Sequence, residues 1–390
     1  MASTRVMLSC GEPSGELYAG ALTREIRGLN PETEVFGLAG NHVAAAGGRL
    51  TVDYAGLAAT GLTEALSVLP RTWAAYRRLV EVARAERPDV FVAVDFPEVN
   101  FRLGKQIAAL GIPVVYYIGP QVWAWRSGRL QTMKRFVTRA LVIFPFEERL
   151  YREVGIPVRF VGHPLLDLAI PTVGRDAFRQ KHRLDSSAPT VAILPGSRPN
   201  ELRLILPDLV NAVLLIAREV PSVQVVVARA PNLPDALFEP LAALRRAMLC
   251  PPCLVEAQTD AALVAADVVL TASGTATVQT ALHERPMVVV YRLSPLTYLM
   301  GRRFVQVDTF GMVNLVAGEK IVPEYLQEAF TPDVVAAEAM RFLVDEEHAA
   351  KTRQQLRTVR EMLGGVGASR RAAEQVLEVA DRGRVFRSSL

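Results

Sequence analysis

A chain of 390 residues is too long for one simple core, and with half its residues hydrophobic and 22% charged it reads as a globular protein of two α/β domains. A net charge of +4 and a pI near 9.0, with no aromatic-basic RNA motif beside them, argue against nucleic acid and fit an acidic membrane surface better. No run approaches the roughly 20 apolar residues that span a bilayer, and one Arg, a short apolar stretch and Glu12 do not make a signal peptide, so a cytosolic protein is expected.

In chain order, apolar runs at Arg5–Ser9, 35–38, Val90–Val94, Val114–Tyr117, 140–144 and 159–161 predict strands, most of them separated by helical stretches, as in a doubly wound sheet. Such sheets bind ligands outside the carboxyl ends of their strands, so the residues that follow each strand carry the information. After the first comes Gly11-Glu12-Pro13-Ser14-Gly15-Glu16, a turn with two glycines and two carboxylates that opens a helix. Its carboxylates either partner the helix dipole or face a ligand. After Val90–Val94 comes Asp95-Phe96-Pro97-Glu98-Val99-Asn100, where Asp95 either caps the next helix or stands as a general base. After Val114–Tyr117, the stretch 119–126 holds two of the three tryptophans, Trp123 and Trp125, as core or as a ligand platform. The helix predicted next sets Arg126, Arg129, Lys134, Arg135 and Arg139 opposite Leu130, Met133 and Val137, either a solvated face or a patch for anionic lipid headgroups.

The polar, Pro- and Gly-punctuated stretch 165–189 reads as the interdomain connection, with a helix over 177–182 as an option. A second set of strands follows at Thr190–Leu194, 223–227, 253–255, 268–271 and Met287–Tyr291. The first of these breaks at Pro195-Gly196 and delivers Ser197 and Arg198, whose planar charged fork matches phosphate oxygens. Cys250 and Cys253 lack the further ligands a zinc site needs and read as reduced structural thiols. Between Asp267 and Gln279 an apolar strand ends in Ser273-Gly274-Thr275 and turns into a helix. The first amides of that helix and the positive end of its dipole suit a phosphate, although a plain Ser or Thr cap has the same pattern. Two such corners in one domain can face one ligand. Aromatics and Leu beside Arg302 and Arg303 in 293–304 suggest a surface that rests on a membrane, and beyond Pro332 the chain is charged and helical. The expected domains are 1–165, 166–345 and a set of C-terminal helices over 346–390, packing back on the first domain or onto a partner.

Seven stretches occur in the order found in one family: Gly11-Glu12-Pro13-Ser14-Gly15, Val122-Trp123-Ala124-Trp125-Arg126, Phe144-Pro145-Phe146-Glu147, Gly162-His163-Pro164, Leu194-Pro195-Gly196-Ser197-Arg198 with Glu201, Ala272-Ser273-Gly274-Thr275-Ala276, and Asn314-Leu315-Val316-Ala317-Gly318. Over 6–326 the chain resembles the lipid-A-disaccharide synthases. The resemblance implies an α/β GT-B fold, two Rossmann-like doubly wound domains facing a central cleft. It implies an inverting glycosyltransferase with no metal or other cofactor, peripheral on the cytoplasmic face of the inner membrane. The implied reaction joins UDP-2,3-diacylglucosamine to 2,3-diacylglucosamine 1-phosphate (lipid X), giving the β-1,6 disaccharide and UDP.

Inversion needs one base for the acceptor hydroxyl and electrostatic stabilisation of the pyrophosphate. Asp95 is expected as the base. Gly196, Ser197, Arg198, Glu201, Ser273, Gly274, Thr275, Gln279 and Asn314 are expected around the nucleotide, and Glu12, Ser14, Gly15, Trp123, Trp125 and Arg126 on the acceptor or sugar side. Another GT-B UDP-sugar transferase or epimerase, or a noncatalytic lipid-binding homologue, is the alternative. Two positions depart from the family pattern: Glu16 stands where Asp is usual, and Gln279 where Glu is usual and commonly accepts from the ribose. A neutral acceptor is the weaker one, so Gln279→Glu is expected to tighten UDP by up to roughly tenfold.

Overall fold

The computed structural model describes residues 3–55, 62–120, 128–231, 233–293 and 309–388. It divides into two compact units, Met1–Asp167 with Leu363–Leu390, and Leu168–Met362.

The first unit is built on seven parallel strands: β1 (Arg5–Ser9), β2 (Glu34–Ala39), β3 (Arg49–Asp53), β4 (Val90–Val94), β5 (Val114–Tyr117), β6 (Arg139–Val142) and β7 (Val158–Phe160), in the order β3-β2-β1-β4-β5-β6-β7. Its helices are α1 (Pro13–Leu29), α2 (Asn41–Ala45), α3 (Leu62–Glu86), α4 (Pro97–Ala109), α5 (Gly128–Met133), α6 (Pro145–Glu153) and α7 (Leu165–Leu168). The central strands are fully buried because helices cover both faces, so VFVAV in β4 has no polar side. The edge strand β3, RLTVD, is half exposed and carries too few apolar residues to read as a strand from sequence. The basic helix predicted over 126–139 is shorter than expected. Only Gly128–Met133 is helical among the described residues, because Phe136 and Val137 turn into the core and Arg139 already opens β6.

The second unit holds β8 (Thr190–Leu194), β9 (Gln224–Arg229), β10 (Cys253–Glu256), β11 (Val268–Ala272), β12 (Met287–Tyr291) and β13 (Glu324–Leu326), all parallel, in the order β10-β9-β8-β11-β12-β13. Around them lie α8 (Arg175–Lys181), α9 (Pro199–Glu219), α10 (Leu241–Ala247), α11 (Thr259–Ala265), α12 (Thr275–Leu282), α13 (Met312–Ala317), α14 (Pro332–Val344) and α15 (Glu346–Met362). The segment 165–189 is therefore partly helical, and 346–390 does not act as one piece. Glu346–Met362 packs with the second unit, while α16 (Ala368–Ser388) lies on α1, β4 and β5 of the first.

Both sheets follow one scheme, in which the strand order reverses between the first strand and the fourth. In the first unit the reversal lies between β1 and β4, and in the second between β8 and β11. That is where a doubly wound sheet opens a crevice at its carboxyl edge. The opposite edge is pinned shut in the second unit. Asp267, just before β11, accepts from Arg175 Nη2 (2.5 Å), Arg179 Nη2 (3.3 Å) and the Thr190 amide (2.8 Å), which fixes β8 and β11 in register below the crevice.

Candidate active site

Several predicted residues follow strands at the reversal points: Glu12, Ser14, Gly15 and Asp95 in the first unit, and 196–201 and 273–279 in the second. In the first, the turn after β1 and the turn after β4 touch. Gly11 has no room for a side chain, because a Cβ there would overlap the Phe96 ring, and a Cβ on Gly15 would stand 3.6 Å from Asp95 Cβ. Glycine is therefore required at position 11, where the Phe96 ring fills the space, while position 15 would accept a Cβ at ordinary contact distance.

Asp95 and Phe96 both adopt left-handed backbone, with φ of 47° and 50°. Two adjacent non-glycine residues in that region cost of order 1–3 kcal/mol each and persist only where the surroundings impose them. Here the restraint is visible. The Asp95 carbonyl accepts from Asn100 Nδ2 (2.8 Å) and from the Tyr116 hydroxyl (3.1 Å), and its amide donates to the Tyr117 carbonyl (3.1 Å). The same Asn100 amide donates to the Ser9 carbonyl (3.1 Å), tying the end of β1 to the end of β4. The carboxylate of Asp95 is thus carried on a main chain held by two buried side chains. Neither has a role that the sequence alone reveals. Asn100 stands five residues after Asp95.

Glu12 and Ser14 stand at the start of α1, half-buried, with Gly15 buried behind them. Glu16 does a different job. Its Oε1 accepts from the His42 and Val43 amides at 2.7 and 3.0 Å, so this buried carboxylate caps the five-residue α2. Trp123, Trp125 and Arg126 lie outside the described residues, as does most of 293–304. Downstream, Arg129 pairs with Glu98 at 3.7 Å and covers the Phe101 ring, while Arg139 is engaged by Gln375 and Glu378.

In the second unit the corners after β8 and β11 flank the reversal. Gly196, Ser197 and Arg198 lead into α9, and Glu201 turns back on them. Its Oε2 accepts from the Ser197 and Arg198 amides (3.0 and 3.3 Å) and its Oε1 from Arg198 Nη1 (3.4 Å). Glu201 therefore shapes the corner and steadies the guanidinium, whose side chain remains 43% exposed. After β11, Gly274 adopts φ 145°, a conformation that side chains resist, and nothing lies within 4 Å of where a Cβ would be. The corner is open. The Gly274 carbonyl accepts from the Thr277 amide and hydroxyl, whereas Ser273 donates through its hydroxyl to the Phe310 carbonyl (3.2 Å), joining this corner to the start of α13. Gly274 and Thr275 at the start of α12 are exposed, and the first turn of a helix with its positive dipole end suits an anion.

Asn314 departs from the expectation of a nucleotide ligand. It is buried, its Oδ1 accepts from the Ile321 and Val322 amides (2.9 and 3.0 Å), and its Nδ2 donates to the Val322 carbonyl and to Glu324. Every hydrogen-bonding group of the side chain is used by its own loop. Gln279 sits one turn into α12, its Nε2 donating to Asp260 Oδ1 at 2.8 Å.

Two doubly wound parallel sheets, each reversing its strand order between its first and fourth strand, define the two-domain GT-B class. Known structures share the fold. UDP-GlcNAc 2-epimerase from Neisseria meningitidis, solved bound to UDP-GlcNAc, matches with a TM-score of 0.67 and 13% identity over 96% of this chain and 100% of that one. The calicheamicin glycosyltransferase CalG4 matches with a TM-score of 0.60 and 14% identity over 98% of this chain and 99% of that one. The family model described as lipid-A-disaccharide synthetase matches residues 6–379. The lipid-A-disaccharide synthase of Myxococcus xanthus (strain DK1622) is 40% identical over 98% of this chain and 99% of its own length, and that of Koribacter versatilis (strain Ellin345) 41% over 97% and 99%. The chain belongs to the lipid-A-disaccharide synthase family.

Proposed function

We infer that this enzyme transfers 2,3-diacylglucosamine from UDP to the 6-hydroxyl of 2,3-diacylglucosamine 1-phosphate, with inversion at the anomeric carbon and release of UDP. The observation that supports the residue roles is that Asp95, Arg198 and the Ser273-Gly274-Thr275 corner each follow a strand at a strand-order reversal. Asp95 takes the proton of the acceptor hydroxyl as that oxygen attacks the anomeric carbon. The β-phosphate leaves toward Arg198 and the open start of α12, where a fixed cation and main-chain amides meet the developing charge. In this reading no metal takes part, and Glu12, Ser14 and Gly15 border the acceptor. The stretch 121–127, which contains Trp123, Trp125 and Arg126, is read as sugar- or acyl-facing.

No helix among the described residues is long and apolar enough to cross a membrane. Acylated substrates then call for contact with a bilayer surface, and the reading places the enzyme peripherally on the cytoplasmic face of the inner membrane. The net charge of +4 favours anionic headgroups.

The deciding experiment incubates the purified protein, with a chelator present, with UDP-2,3-diacylglucosamine and lipid X in detergent, and follows the disaccharide phosphate and UDP by mass spectrometry. Product is expected. Its absence across several acyl lengths would overturn the reading. Asp95→Asn is expected to lower turnover by about 10²–10⁴ while UDP affinity, measured by calorimetry, stays within about twofold. Near-normal turnover in that variant would remove Asp95 from the role of base.

A further inference from the structure

Around Gln279 the structure shows an arrangement that the sequence pattern alone did not suggest. Asp260, at the start of α11, accepts on one oxygen, Oδ1, from Gln279 Nε2 and from His283 Nε2, both at 2.8 Å. A carboxylate only accepts, so His283 carries its proton on Nε2 and the Gln279 amide can have only one orientation. With Nε2 tied to Asp260, Oε1 is the end left for a ligand. Among the described residues no donor is bonded to it. Gln279 lies on the same face of α12 as Thr275, one turn further in, about 6 Å along the axis. A nucleoside diphosphate presents its phosphates and then its sugar in that order.

We propose that Asp260 is a positioning residue for the donor site. Together with His283 it locks the Gln279 amide so that Oε1 accepts a hydrogen bond from a sugar hydroxyl of the bound nucleotide. The proposal rests on the reading of α12 as the nucleotide helix. It also reverses an expectation drawn from sequence. A glutamate at position 279 would place a carboxylate oxygen where Nε2 now meets Asp260 Oδ1, two acceptors at hydrogen-bond distance with like charge. Gln279→Glu should therefore weaken nucleotide binding in this chain. The acceptor at position 279 and the residue at position 260 act as a matched pair.

The test is calorimetric titration of UDP into four proteins: the parent, Gln279→Glu, Asp260→Asn and the double variant. Gln279→Glu is expected to weaken UDP about three- to tenfold. Asp260→Asn keeps an acceptor for Gln279 and should change affinity by no more than about twofold. In the double variant the side-chain amide introduced at position 260 donates to the carboxylate introduced at position 279, and affinity should return to the parent value or exceed it. A fold defect does not produce such rescue. In steady-state assays Asp260→Ala should raise the donor KM and leave the KM for the lipid acceptor unchanged. If Gln279→Glu binds UDP as tightly as the parent, or if the double variant shows only the sum of the single effects, Asp260 does not position Gln279. A parent protein that fails to bind UDP at all would instead count against the nucleotide reading of α12.

Discussion

His163 shows how a single buried group ties the family's Gly162-His163-Pro164 stretch to stability. The imidazole is packed edge-on against Tyr18, with ring centroids 6.0 Å apart, and lies 5.3 Å from Phe144, and its Nδ1 accepts from the Leu165 amide at 3.1 Å. Burial lowers its pKa to about 3 from an ordinary 6.5. Between those values the unfolded chain binds a proton that the folded state refuses. The stabilisation is therefore complete above about pH 6.5 and is lost as pH falls toward 3, by up to about 1.4 kcal/mol per pH unit. His163→Asn, which keeps an acceptor without the titration, should flatten the fall in melting temperature between pH 6.5 and 4. Parallel curves for the two proteins would show that His163 does not drive the acid sensitivity. Positions set by local chain geometry are legible in the sequence: Gly11 and Gly15 in the turn after β1, Asp95 after β4 and Arg198 after β8. The partners of Gln279 and Asn314 are not. Asp260 lies 19 residues before Gln279 and Glu324 ten after Asn314, and nothing in the local pattern pairs them.

Central strands are legible from their apolar runs, and of the four edge strands β7 and β10 are legible as well while β3 and β13 are not. β4 is an uninterrupted apolar run and β11 is broken only by the buried Thr271, because both faces are covered, whereas β3 and the three-residue β13 lie at sheet edges and carry mixed residues. The C-terminal helix depends on a cap that no local pattern reveals. Asp167, at α7, accepts from the Gly367 amide (2.6 Å) and the Ser369 amide (3.0 Å), capping α16 from two hundred residues away. Arg371 fastens the same end by donating to the Val161 carbonyl at 2.9 Å. Loss of an N-cap costs roughly 0.5–2 kcal/mol. Asp167→Ala should lower the stability of the first unit by that amount in a denaturant titration, and Asp167→Asn by less. If hydrogen exchange in the first turns of α16 is the same in Asp167→Ala as in the parent, the cap is unimportant.

At the scale of the whole molecule, one strand order serves twice, but the two units are assembled differently. The second is a single continuous stretch, Leu168–Met362, while the first joins Met1–Asp167 to Leu363–Leu390. The returning α16 buries Ala372, Ala373, Val376, Val379 and Ala380. Uncovering that apolar face should be more than the first unit can tolerate. A protein ending at Met362 is expected to keep a folded second unit that still binds UDP, while the first becomes sensitive to protease. Equal protease resistance in both units would contradict this. The same joint also sets an order on the ribosome. Domains ordinarily fold in the sequence in which they emerge, yet here the leading sheet must wait, with part of its apolar surface uncovered, until the trailing helix has been made. The unit that holds Asp95 begins first and closes last.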